Sequence, residues 1–109
     1  MRTGVVIRPW DGQNVVDDAV AGARAAADAG VRRVWFGQLF AEDAVALAGL
    51  VAREVPEVEV GVAAIPVFGR HPVVVGSAAR TAQAAARGRF RLGLALGAPD
   101  LVEAAFGEP

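Results

Sequence analysis

Few side chains in this sequence have the type and spacing needed for acid–base or metal chemistry. The 109 residues contain no cysteine and a single histidine, His71, which excludes thiolate sites and clustered-histidine metal sites. The adjacent carboxylates Asp17 and Asp18 lie where an amphipathic helix begins, and a first helical turn explains them more simply than a catalytic pair does. The residues alone therefore assign no catalytic acid or base, and no metal site is predicted.

The composition excludes several classes of protein. The chain is 54% hydrophobic, which is too much for a disordered protein, and its net charge of -1 provides no basic surface for nucleic acid or anionic membranes. The longest uncharged stretches are about ten residues, such as Val60 to Gly69, against the ~20 that a membrane-spanning helix requires. No signal peptide is visible after Met1. We therefore expect a cytoplasmic protein with neither a nucleic-acid nor a membrane partner.

Four short runs rich in Val, Ile, Phe and Leu predict strands, and three helical patterns lie between them. The strand runs are largely apolar rather than alternating, which is typical of parallel strands buried on both faces. Asn14 is a good N-cap for the first helix, Gly30 ends it, and Pro72 suits the first position of the third helix. The predicted strands are Thr3–Ile7, Arg33–Gly37, Val58–Val67 and Phe90–Gly97, and the predicted helices are Val15–Ala29, Glu42–Arg53 (with Ala44, Leu47, Leu50 and Val51 buried) and Pro72 to just before Gly88.

The order βαβαβαβ repeats with a regular period. Val5, Val34, Val62 and Leu94 occupy equivalent positions in the four strands, at spacings of 29, 28 and 32 residues. Both the doubly wound open sheet and the (β/α)8 barrel use such repeats. No glycine-rich phosphate-binding motif follows the first strand. In a singly wound sheet all three helices lie on one face, so the other apolar face must meet something else, which in a barrel is the far half of the barrel. The pattern therefore favours an α/β fold that is the N-terminal portion of a (β/α)8 barrel.

Several motifs between residues 58 and 97 resemble the luciferase-like monooxygenase superfamily, and more narrowly its coenzyme F420 (deazaflavin)-dependent oxidoreductases. The second strand and the tail Leu101–Pro109 resemble the same proteins, so that the resemblance covers nearly the whole chain. The elements that carry it are Val34–Phe40, the small-residue run Gly61–Pro66, the corner Arg70-His71-Pro72, the helix segment Gln83–Ala86, the turn Gly88-Arg89-Phe90, and Leu92-Gly93 to Gly97.

The resemblance implies a cofactor site at the carboxyl ends of the barrel strands. The implied cofactor-binding residues are Gln38 after the second strand, Ala63, Ala64 and Ile65 at the end of the third, and Gly97 and Ala98 after the fourth. In the family, the third strand ends in a bulge with a non-prolyl cis peptide that supports the cofactor ring. Related deazaflavin enzymes often carry an acidic residue and a histidine after the second strand. Here Gln38 and Leu39 occupy that place, so the catalytic residues are unknown.

Several of these residues have a simpler structural interpretation beside the functional one. His71 either orders the corner before the third helix or touches the cofactor, and Gln38 either binds the cofactor or holds its own loop. Trp35 is more often a core residue than a stacking platform. Trp10 either lines the mouth of the site or covers the edge of a barrel. Arg8 either pairs with an acidic cofactor tail or forms a surface ion pair. Gly93 indicates a close approach, either of a helix or of a ligand.

The resemblance implies a flavin- or deazaflavin-dependent oxidoreductase that transfers hydride between coenzyme F420 and a small organic substrate. Two alternatives remain open: an FMN-dependent monooxygenase of the same superfamily, and a non-catalytic half-barrel that oligomerises or packs on a partner. Eight βα units would need ~225–255 residues, in line with the usual barrel size. We therefore expect residues 1–109 to be one partial barrel domain, a fragment that is inactive alone and needs a second half-barrel or a homo-oligomer.

Overall fold

Four parallel strands alternate with three helices in a computed structural model of the chain. The structure describes residues 4–7, 14–38 and 41–96, so the predictions made for Arg8, Trp10, Leu39, Gly97 and Ala98 lie outside the described residues. In chain order the elements are β1 (Gly4–Val6), α1 (Val15–Asp28), β2 (Arg33–Phe36), α2 (Ala44–Glu54), β3 (Glu59–Pro66), α3 (Pro72–Ala85) and β4 (Phe90–Ala95). The predicted order βαβαβαβ is confirmed.

The strands lie side by side in the order in which the chain makes them, β1-β2-β3-β4, and every pair is parallel. Connections between parallel neighbours are almost always right-handed, so successive crossovers in one direction place their helices on the same face of the sheet. Contacts between α1 and α2 and between α2 and α3 agree with this placement. The sheet is therefore singly wound, as in a barrel, and lacks the reversal of strand order that defines a doubly wound sheet.

The helices begin where their capping residues predict. Asn14 Oδ1 accepts hydrogen bonds from the amides of Val16 and Asp17, both at 3.0 Å, and Gly30 has a φ of 86° just beyond the C-terminus of α1. The predicted start of α2 at Glu42 was wrong by two residues. Asp43 is its N-cap, because its carboxylate accepts from the amide of Ala46 at 2.8 Å.

Two arginines from other elements bind the carboxyl end of α2. The last carbonyls of a helix have no partner within the helix. Arg24 in α1 donates to the Glu54 carbonyl at 3.1 Å, and Arg89 donates from its two terminal nitrogens to the carbonyls of Ala52, at 3.0 Å, and of Val58. The Gly88-Arg89-Phe90 motif therefore has a structural role: its arginine fixes the end of α2 and the approach to β3.

The core lies between the helices and one face of the sheet. Val34, Phe36, Val60 and Val62 are almost fully buried there, and no polar or charged side chain is buried within the described segments. Within the described residues the second face of the sheet is not covered: burial alternates along β2, and all three residues of β1 are exposed. The expectation of burial on both faces assumed a second half-barrel and stays a prediction. The uncovered face carries glycines and charged residues together with Trp35 and Val6.

The buried face of α2 also differs from its prediction in one residue. Ala44, Leu47 and Val51 are buried as expected, whereas Leu50 is 49% exposed. Its side chain lies beside an apolar groove between α2 and α3. The 3–4 spacing that places Leu50 near the buried stripe does not distinguish the sheet-facing side of a helix from a side that faces a neighbouring helix.

Candidate functional site

A β-bulge interrupts the pairing of β3 with β4 near the carboxyl end of β3. Val62 pairs with Leu92, and the next pair is Ile65 with Leu94. Two residues of β3, Ala63 and Ala64, therefore lie opposite one residue of β4, which is the defining count of a bulge. The Ala63–Ala64 peptide bond is cis. Both the bulge and the cis bond that the resemblance implied at these residues are confirmed.

The bulge shifts the alternation of side chains along β3. Val62 is fully buried and Ile65 is 1% exposed, although they are three positions apart instead of two. An extra residue is what allows both to point into the core, because side chains along a strand alternate between faces. Ala63 in between is exposed and Ala64 is half-buried. The bulge thus presents two methyl-sized side chains and its backbone at the end of the strand.

Gly93 lies opposite the bulge and leaves space for it. A Cβ built on Gly93 would lie 3.1 Å from the carbonyl oxygen of Val62, 3.6 Å from the Cα of Ala63 and 3.7 Å from the Cβ of Ala64. The close approach predicted at Gly93 is therefore confirmed, but its partner is the neighbouring strand. The sequence analysis offered a helix or a ligand as the group that approaches Gly93, and both alternatives were wrong because the group is the bulge of β3.

The side chain of Gln38 holds the loop that follows β2. Its Nε2 donates to the Glu42 carbonyl at 2.8 Å and its Oε1 accepts from the Ala44 amide at 2.8 Å, so that it supports the first turn of α2. Of the two interpretations left open, the structure shows the loop hydrogen bonds. Cofactor binding by Gln38 stays a prediction.

His71 orders the corner before α3. It is the N-cap of that helix, and its Nδ1 accepts from the amide of Val73 at 3.1 Å. Pro72 occupies the first helical turn, as the sequence predicted. Of the two interpretations of His71, the structure shows the one in which its side chain caps α3.

Trp35 lies on the face of the sheet that carries no helices. Its six-membered ring occupies the space beside Gly61 in β3, where a Cβ would come within 2.5 Å of Cζ3. Its Nε1 lies 3.1 Å from a Cβ built on Gly4 in β1, so the indole spans both neighbouring strands. The expectation that Trp35 belongs to the core was wrong: the side chain is half-buried, and its ring rests on the sheet over Gly61 and toward Gly4, although its direct partner in β1 is Val6.

A charged cluster lies on the same face, nearer the amino ends of the strands. Arg33 Nε and Glu59 Oε2 are 2.8 Å apart, and Arg91 Nε is 3.8 Å from the same oxygen. The three side chains come from β2, β3 and β4 and remain 25%, 37% and 58% exposed, respectively. Sequence reasoning missed this cluster. Arg33 is paired with Glu59 in the sheet. Charged residues within otherwise apolar strand runs were the sequence signal that could have indicated this cluster.

The groove between α2 and α3 is separate from the bulge. Its volume is about 450 Å³, and its lining is almost entirely apolar. The residues that line it come from the two helices and the N-cap of α2, with none from a strand: Asp43, Val45, Ala46, Gly49, Leu50, Arg53, Ala78, Thr81, Ala82 and Ala85. It therefore does not form part of the carboxyl edge of the sheet.

Among the residues that the structure describes, no three His, Asp or Glu side chains are arranged to hold a metal ion. Within the same residues, no helix is long and apolar enough to cross a membrane.

Comparison with known families identifies the chain. A model described as luciferase-like monooxygenase matches residues 1–109, the whole sequence. The chain belongs to the luciferase-like monooxygenase family. The resemblance inferred from the sequence motifs is thereby confirmed at the level of the family. A search of curated proteins gave no significant match to the chain.

Solved structures show the fold of this luciferase-like chain. It is similar to the coenzyme F420-dependent tetrahydromethanopterin reductase of Methanopyrus kandleri, with a TM-score of 0.84 and 19% identity over 99% of the chain. It is also similar to the oxygenating constituent of 3,6-diketocamphane monooxygenase from the CAM plasmid of Pseudomonas putida, a type II Baeyer–Villiger monooxygenase in complex with FMN, with a TM-score of 0.82 and 18% identity over 99% of the chain.

The luciferase-like chain covers 30% of the reductase and 33% of the monooxygenase, so it spans about a third of the length of each. Its four parallel strands and three helices are thus a portion of a (β/α)8 barrel, as predicted. The two neighbours differ in cofactor, one being F420-dependent and the other in complex with FMN. Identities this low establish the fold alone.

Proposed function

We propose that this luciferase-like chain is part of an oxidoreductase that transfers hydride between coenzyme F420 and a small organic substrate, with the cofactor ring resting on the Ala63–Ala64 bulge. The observation that carries the proposal is the position of that bulge. It lies at the carboxyl end of a barrel strand, where sites of (β/α)8 enzymes form, and one of its two residues is exposed.

The residues at this edge fit a planar, largely apolar ring. Ala63 and Ala64 place no more than a methyl group between the backbone and a ligand, so a ring can approach the main chain closely. A bulge also leaves the backbone of its extra residue outside the regular ladder, where its amide and carbonyl can bind a ligand. Gln38, whose side chain supports the neighbouring β2–α2 loop, adds an amide next to this edge.

The proposed division of labour assigns the redox chemistry to the cofactor, which would supply or accept the hydride when bound. The chain's own residues bind and orient. The bulge supports one face of the ring, and the loop held by Gln38 limits the access of water from the side of β2. No proton transfer is assigned to a residue of this chain.

A fluorescence titration of the complete protein, in which this chain is joined by the second half-barrel that it is proposed to need, with coenzyme F420 and, separately, with FMN tests the proposal. We expect saturable binding of F420 at micromolar concentrations. Ala64→Leu should abolish it, because the larger side chain occupies the place of the ring, while Ala84→Leu on the exposed side of α3 serves as the matched control. If the complete protein binds neither cofactor, or if Ala64→Leu and Ala84→Leu bind equally well, the proposal is wrong.

An FMN-dependent monooxygenase is the second candidate function. It is favoured by the similarity to the FMN-containing monooxygenase, whose TM-score of 0.82 nearly equals the 0.84 of the F420-dependent reductase. Binding of FMN at least tenfold tighter than F420 in the same titration would select this candidate.

A non-catalytic half-barrel that oligomerises or packs on a partner is the third. The partly exposed cluster of Arg33, Glu59 and Arg91 on the helix-free face of the sheet supports it. A chain that is dimeric by light scattering and binds neither cofactor would select it.

A further inference from the structure

A single residue of the neighbouring strand lies opposite the bulge of β3. Between the pairs Val62–Leu92 and Ile65–Leu94, β3 contributes two residues and β4 contributes only Gly93. Any side chain on the residue opposite a bulge must share space with the residues that bulge out. Gly93 therefore lies at the place in β4 where an added atom has the largest effect on the bulge.

The atoms nearest to the space beside Gly93 belong to the bulge and to the residue that precedes it. The three atoms closest to a Cβ built there belong to Val62, Ala63 and Ala64. The closest is the Val62 carbonyl oxygen at 3.1 Å, a separation tighter than in nine out of ten real Cβ contacts. That oxygen belongs to the backbone, so it cannot yield by changing a rotamer. An added methyl group would displace the strand segment that leads into the bulge.

The backbone conformation of Gly93 does not itself require glycine. The left-handed φ that favours glycine occurs at Gly30, Gly69 and Gly88, but not at Gly93. An alanine can therefore adopt the same backbone at this position, and the cost of the substitution comes from the contact with the bulge. This separates residue 93 from the glycines of the turns, where a substitution would distort the chain locally.

We infer that Gly93 is the positioning residue of the cofactor site: it sets the place of the Ala63–Ala64 backbone against which the ring is proposed to bind. The inference rests on the proposed function for the identity of the ligand, and on the geometry of β3 and β4 for the position of the bulge. It makes the site a joint product of two strands, because β4 sets the place of the β3 backbone on which the ring is proposed to bind.

The test compares Gly93→Ala with Gly76→Ala. Gly76 lies in α3 with nothing within 4 Å of a built Cβ, so it controls for the addition of the same methyl group. The first readout uses ¹⁵N-labelled chain without cofactor. Gly93→Ala should shift the amide resonances of residues 62–65 while the resonances of α1 stay in place, and Gly76→Ala should leave residues 62–65 unchanged.

The second readout is the dissociation constant for F420 and for FMN. Gly93→Ala should weaken binding at least tenfold, and Gly76→Ala should not change it. Unchanged amide resonances at residues 62–65, unchanged affinity in Gly93→Ala, or loss of folding in that variant would each overturn the inference, since the contact predicts a local shift of the bulge. If neither the unmodified chain nor Gly76→Ala binds a cofactor, the proposed function fails, and the amide resonances still decide whether Gly93 positions the bulge.

Discussion

Replacing Arg89 with alanine should destabilise the fold more than any other single arginine substitution among the described residues. Its guanidinium donates to the carbonyls of Ala52 and Val58, which belong to residues that are fully buried. A hydrogen bond to a charged donor contributes ~1.5–3 kcal/mol. A buried carbonyl that loses its partner also lowers stability, because water does not reach it to form a replacement hydrogen bond. Since Arg89 itself is half-buried, we expect Arg89→Ala to lower the free energy of unfolding by about 2–4 kcal/mol.

The neighbouring Arg87 provides a matched control. It is exposed, and Arg87→Ala gives a chain of the same composition and net charge as Arg89→Ala. Arg87 has a φ of 52°, but alanine has the same Cβ as arginine, so the backbone cost does not change. We expect Arg87→Ala to change the free energy of unfolding by no more than ~0.5 kcal/mol.

Urea unfolding followed by circular dichroism at 222 nm measures both variants. A loss of about 2–4 kcal/mol is a large part of the 5–15 kcal/mol that holds an ordinary domain together, so the midpoint should move clearly. Arg89→Lys should fall between the two alanine variants, because one ammonium group cannot reach both carbonyls in the manner of a planar guanidinium. Equal midpoints for Arg89→Ala and Arg87→Ala would refute the reasoning.

Substitutions at three further residues test the local contacts. His71→Ala should lower the free energy of unfolding by about 1 kcal/mol through loss of the N-cap, whereas His71→Asn should retain it, as measured by thermal melting. Glu59→Gln should cost ~0.5–1 kcal/mol at low salt and less at high salt, because it removes the charge that pairs with Arg33; equal urea midpoints at low salt would contradict this. The Phe90 amide donates a hydrogen bond to Gln83 Oε1 at 2.9 Å, so Gln83→Leu should speed hydrogen exchange of that amide. Unchanged protection of the Phe90 amide would count against a protecting role of Gln83.

The order of elements and the helix starts could be predicted from the sequence because they depend on local chemistry. Asn14 and Pro72 act within one helical turn of their own position, and the apolar runs of the strands are recognisable by themselves. Asp43 was assigned to the first turn of α2 instead of its N-cap because Glu42 and Asp43 are both favoured near a helix start, and only the hydrogen bond to Ala46 separates the two roles.

The site was harder to predict because it depends on pairing between strands. The resemblance to the luciferase-like family placed the bulge at Ala63–Ala64, but periodicity could not have done so. The role of Gly93 requires knowledge that it lies opposite two residues of β3, which is a matter of register. Trp35 was assigned to the core because an indole is usually buried, and its true place follows from the glycines of the two neighbouring strands.

The central claim is that a flavin or deazaflavin ring binds at the Ala63–Ala64 bulge, and amide mapping tests it most directly. The complete protein, labelled with ¹⁵N, would be titrated with coenzyme F420, and the resonance shift of every amide in residues 1–109 recorded. The account predicts saturable shifts that are largest at Ala63, Ala64 and Ile65 and extend to Gln38, with little change along the groove between α2 and α3. Shifts centred on that groove, or no shift at any amide, would contradict the account.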